Sequence, residues 1–126
     1  MEFALLAPWY VFIFIGIFDW GFFAHGLIST ENAARVAAVY LAQQNTPTDQ
    51  AAAFNYALTE MQTSVNGSGM SNCNCLPLIV TAAKVTGPDN ADAVQVTVEY
   101  QVQQLIPIPG ILPATFTFYR MAEMKI

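Results

Sequence analysis

Cys73 and Cys75, with only Asn74 between them, are the residues of this chain most able to form a covalent bond with each other. Thiols two apart can close a small disulfide ring, pair between chains, or stay reduced. Two thiols with no third ligand nearby in sequence fall short of a structural zinc site. Asp19 and His25 are an acid and a base six residues apart. On a helix of 3.6 residues per turn they point to different faces, so they form no intrahelical pair. Asp19 either marks a membrane–water boundary beside Trp20 or needs a basic or hydroxyl partner. The lone His25, next to Gly26, reads as an interfacial or core residue. Glu2 is a carboxylate at a helix start, where the macrodipole favours it. No catalytic set emerges: there is one histidine, and no phosphate-loop glycine pattern follows a strand. The expectation is a protein that is not an enzyme and carries no cofactor and no metal. Asn66-Gly67-Ser68 fits the glycosylation sequon, a pattern short enough to arise by chance.

The element that must position these groups is an apolar run. Between Glu2 and Glu31 the only formal charge is Asp19, and residues 3–18 carry none. As helix, residues 3–18 span roughly 24 Å, short of the ~30 Å hydrocarbon core; carried to residue 28 the run reaches roughly 39 Å with Asp19 inside. A carboxylate at mid-helix costs on the order of 3 kcal/mol on insertion scales, and each Leu, Ile or Phe returns about 0.3–0.6. The many such residues around Asp19 outweigh it. A helix apolar on all sides must be buried, in lipid or in other protein.

Composition points the same way. The 126 residues are 55% hydrophobic and 10% charged, with net charge −5 and four basic residues: Arg35, Lys84, Arg120 and Lys125. An ordinary soluble domain is about 25% charged. So low a value implies a chain that buries surface against membrane or neighbours. Nothing basic is clustered, which argues against nucleic acid. A signal-anchor carries Lys or Arg ahead of its apolar run; here only Met1 and Glu2 stand there, so either Met1 starts an unusual anchor or, the favoured expectation, a basic leader has been removed.

The periodicities predict α+β architecture. A long hydrophobic first helix runs from Glu2 to about Gln44, bent near Ala4 by Pro8. Gly16, Gly21 and Gly26 recur along it; such glycines either loosen a helix or permit close approach between apolar helices. From Ser29 it turns amphipathic, with Val36, Val39 and Tyr40 expected to face a core, and Glu31 and Arg35 form an i, i+4 pair. Thr46 reads as the N-cap of a second, short helix, with Pro47 as its first residue and Asp49 completing a capping-box variant. Phe54, Leu58, Met61 and Val65 share one face of that helix, and Gly67 ends it. Three antiparallel strands follow, at 78–85, 93–103 and 114–121. In the second, Val94, Val96, Val98, Tyr100 and Val102 alternate with Gln95, Thr97, Glu99, Gln101 and Gln103. In the third, Phe116 and Phe118 oppose Thr115, Thr117 and Tyr119. Gly87-Pro88-Asp89-Asn90 makes the first turn, and 106–113 is an apolar, proline-rich connection expected to cover the core or contact a subunit. The valine face should pack on helix one and helix two. The chain divides into a hydrophobic filament-core or transmembrane segment, 1–28, and a small globular head, 29–126.

One pattern in the first third is specific. Glu2-Phe3-Ala4-Leu5, Pro8, Gly16-Ile17-Phe18-Asp19-Trp20-Gly21 and Asn32-Ala33-Ala34-Arg35, followed by Ala37-Ala38, resemble the TadE-like pilins of tight-adherence pili, a branch of the type IV pilin superfamily. The resemblance implies a prepilin whose basic leader is cut by a dedicated inner-membrane peptidase. Its mature helix is then drawn from the membrane into an extracellular filament by an assembly ATPase. It implies packing with copies of the chain or with sister pilins, and register or assembly roles for Glu2, Phe3, Pro8, Gly16, Asp19, Gly21 and Arg35. Glu2 would be neutralised by a neighbour's terminal amine as the subunit docks. The alternative is a single-pass membrane protein displaying a small extracytoplasmic binding domain.

Overall fold

The helix predicted from Glu2 to Gln44 forms over those residues, as α1 (Glu2–Gln44), with Pro8 inside its first turns. At 1.5 Å per residue it is about 65 Å long. The computed structural model describes residues 2–62, 70, 72–103 and 115–126. Val65, Gly67, the Asn66-Gly67-Ser68 sequon and the 106–113 connection lie outside the described residues.

The end of α1 is closed by its own backbone. Asn45 adopts φ 54°, its N–H bonds the Ala42 carbonyl at 3.2 Å, and the Thr46 N–H reaches back to Leu41 at 3.1 Å. This paired 5→2 and 6→1 closure is the Schellman arrangement, with Asn in the left-handed position usually held by Gly. It consumes the Thr46 N–H and delays the next helix. α2 (Gln50–Gln62) begins three residues later than the Thr46 cap predicts. Its N-cap is Asp49, whose Oδ1 accepts the Ala52 N–H at 3.0 Å. Phe54, Leu58 and Met61 are buried as predicted.

The strands are β1 (Leu78–Thr86), β2 (Asp92–Gln103) and β3 (Thr115–Lys125), antiparallel in the order β1-β2-β3. The first hairpin closes through Gly87 N–H to Ala91 at 2.8 Å and Asn90 N–H to Gly87 at 3.0 Å, with Asn90 at φ 58°. β3 runs four residues beyond its predicted end. Ala122, Glu123, Met124 and Lys125 have little intrinsic strand preference, but pairing with Val96, Gln95, Val94 and Ala93 holds them extended.

The valines of β2 face the helices, as their alternation requires, and are buried with Tyr100. The face of α1 that meets them differs from the prediction. Val36 is 40% exposed, and Val39 and Tyr40 are half-buried. The buried residues are Thr30, Ala33, Ala34, Ala37, Ala38 and Leu41, a stripe with i, i+3, i+4, i+7 spacing. Methyl-sized side chains let the helix axis approach the sheet closely enough for the valines to fill the space between. Tyr40 instead stacks on Tyr56 of α2, ring centroids 3.6 Å apart.

Candidate functional site: an exposed apolar helix

α1 changes character between Gly26 and Thr30. Beyond that turn it lies under α2 and the sheet; before it, side chains stand clear of the subunit. Phe3 is 85% exposed, Leu5 79% and Trp20 78%, while Ala33, Ala37 and Leu41 are at 0%. Phe14, Phe18 and Phe22 form a ladder down one side, with centroids 5.8 and 5.5 Å apart. Phe23 is the exception: Phe116 and Phe118 of β3 meet it edge-on at 4.5 and 5.0 Å. These contacts brace the exposed rod against the foot of the sheet.

The residues singled out from sequence fall along this rod. Glu2 is the first residue of α1. Pro8 lines a shallow apolar cleft with Trp9 and Phe12, and Gly21 lines another with Ile17, Phe18, Phe22 and His25. A Cβ placed on Gly16 or Gly21 would meet nothing within 4 Å, so no contact inside the subunit requires glycine there. Asp19 is half-buried and His25 exposed; the two do not meet. His25 Nδ1 lies 3.4 Å from Ser29 Oγ. Thr30 Oγ1 donates to the Gly26 carbonyl at 2.7 Å, which satisfies the more deeply buried of the two polar side chains at the transition, Ser29 and Thr30. Arg35 pairs with Glu31 on the exposed flank, an interaction of a few tenths of a kcal/mol.

Cys73 and Cys75 are joined by a disulfide across Asn74. The carboxamide within that ring performs a function that sequence reading missed. Asn74 Nδ2 donates to the Val80 carbonyl at 2.8 Å and Oδ1 accepts the Val80 N–H at 2.7 Å. Gln50 does the same to Ala82, at 2.6 and 3.0 Å. Two side-chain amides thus cap the outer edge of β1 at alternate residues, where another strand would otherwise pair. Only the spacing of Val80 and Ala82 hints at this; the partners come from distant stretches of chain.

On the far face of the sheet, Tyr119 Oη donates to Glu99 Oε1 at 3.1 Å. That hydrogen bond to Glu99, and the charge behind it, push the Tyr119 hydroxyl above its ordinary range, as burial does for Tyr100. A phenol whose pKa rises on folding stabilises the fold below about pH 10 and loses that contribution as pH climbs through the raised value. Among the described residues, no group of three or more His, Cys, Asp or Glu side chains is placed to hold a metal ion.

A small α+β head on a long apolar helix, long and apolar enough to cross a membrane, is a pilin-like layout compatible with a membrane anchor. Residues 1–39 match the family model described as TadE-like protein. The match covers the rod and most of the alanine stripe, the same residues whose pattern carries the resemblance, and implies a protein associated with tight-adherence pili. No curated protein and no solved structure is significantly similar to the chain.

Proposed function

We propose that this chain is a structural subunit of an extracellular tight-adherence-type pilus, built by packing residues 1–28 into a filament core with residues 29–126 displayed outside. The carrying observation is the rod: apolar on every side, exposed in the single subunit, and notched at Gly16 and Gly21, where none of the described residues fills the notch. Before assembly the inner membrane covers it; afterwards the helices of copies or sister pilins do. At about 25 cal/mol per Å², burying well over ~1,500 Å² of such surface is worth tens of kcal/mol against water, but far less against lipid. Withdrawal from the membrane therefore calls for an assembly ATPase, and release of the mature helix for a prepilin peptidase. A role in adhesion follows from display of the head along the fibre.

The test is fractionation of cells producing the full chain. The subunit is expected in extracellular material released by shearing, as filaments under the electron microscope. Glu2→Ala should abolish those filaments while leaving membrane insertion intact. If the chain stays wholly in the membrane fraction, it is instead a single-pass anchor presenting the head as a binding module.

A further inference from the structure

Three of the four basic residues are engaged by acids: Arg35 by Glu31, Lys84 by Asp92 at 2.7 Å, and Lys125 by Asp89 at 3.2 Å. Arg120 has no acidic partner among the described residues. Its Nη1 donates only to the Tyr119 carbonyl, at 3.3 Å. The strand register sets Arg120 opposite Val98, on the helix-facing side of β3. There it lines an open groove between that edge strand and α1, with Glu31, Arg35, Val39 and Met121 among its neighbours.

Asp19 is the complementary case. It is the one formal charge between Glu2 and Glu31, and no described residue pairs with it. Once the rod is covered by lipid or by other helices, an unpaired carboxylate there is costly. The two do not pair within the subunit. The groove flanks α1 from Glu31 onward, 31 − 19 = 12 residues beyond Asp19, or roughly 18 Å along the axis. An ion pair needs about 4 Å.

We propose that Arg120 receives Asp19 of a second copy, seated in the groove between β3 and α1. The proposal rests on the helix-packed assembly described above. A copy displaced along the helix axis by roughly 18–24 Å brings its Asp19 level with the Glu31–Arg35 turn. Charge complementarity selects this occupant. The guanidinium is a fork that grips a carboxylate through two hydrogen bonds, and every other lysine or arginine among the described residues already has an acidic partner. Of the acids that line the groove, Glu31 is held by Arg35, and Glu123 forms no ion pair with Arg120.

Charge exchange tests it. Asp19→Arg and Arg120→Asp should each lower the sheared-filament yield at least about tenfold, the effect of roughly 1.4 kcal/mol per contact. The double exchange should restore it. Asp and Arg insert at similar cost, so membrane levels should hold across the series. A second measurement does not depend on filaments: with Cys73 and Cys75 replaced by Ser, Asp19→Cys combined with Arg120→Cys should give dimers in membranes on treatment with a short bis-maleimide, whose span replaces the arginine side chain that a direct disulfide could not bridge, and neither single cysteine should. Dimers without any sheared filaments would keep the pairing and remove the pilus reading. A double exchange as defective as either single one, or the absence of dimers, overturns the pairing.

Discussion

Residues 3–28 of α1 are mostly large and apolar and lie open, whereas residues 30–41 of the same helix are rich in alanine and are covered by strands and α2. If burial simply followed hydrophobicity, the order would be reversed. What decides it is whether the subunit supplies a complementary surface. The alanine stripe fits the valine face of β2 at close range, so its modest area is fully used. Among the described residues, the rod of Phe, Trp, Ile and Leu is met from β3 by the contacts of Phe116 and Phe118 with Phe23, and most of its side chains stay exposed. One half of the helix completes a fold, and the other presents a surface that only lipid or other helices can complete.

That contrast can be broken most directly by truncating one large side chain in each half. Leu41→Ala should lower the stability of the head by about 2–5 kcal/mol, read as an earlier denaturation midpoint of the full chain in detergent. Phe14→Ala should leave the midpoint within about 0.5 kcal/mol; an equal loss at both sites would mean that the rod is part of the folded core. A smaller effect sharpens the role of the stripe. Ala37→Leu forces helix and sheet apart and should cost about 1–3 kcal/mol by the same measurement, whereas Gly21→Ala should cost the head nothing. Asp49→Ala removes the N-cap of α2 and should cost about 0.5–2 kcal/mol. If it costs nothing while Thr46→Ala does, the cap assignment is reversed.

The layout was legible because it rests on long signals. A charge-free run, an alternating valine strand and a Gly-Pro-Asp-Asn turn each point to one structure. The inner face of α1 was not. Val36 and Val39 are more hydrophobic than alanine and Tyr40 offers a larger ring, but the closeness of helix to sheet favours the smaller residues, and that distance is a tertiary property. The start of α2 was misplaced because Thr46, an excellent cap by type, had its N–H already committed to Leu41. The end of β3 follows from its partner strand rather than from its own residues. Within the candidate site, the notches at Gly16 and Gly21 and the lone acid Asp19 stood out in sequence. Arg120 did not, because a single arginine in a strand is unremarkable until the partners of the other three bases are known.

The two carboxamides on β1 have a consequence for how this molecule can aggregate. With Asn74 and Gln50 mimicking a neighbouring strand at Val80 and Ala82, that part of the border is closed to an incoming strand, which works against cross-β growth there. Deamidation of Asn74 would replace a donor with a second negative oxygen facing the Val80 carbonyl, and would turn this plug into a repulsive gap. The long-term integrity of this strand border is thereby tied to the chemistry of one amide.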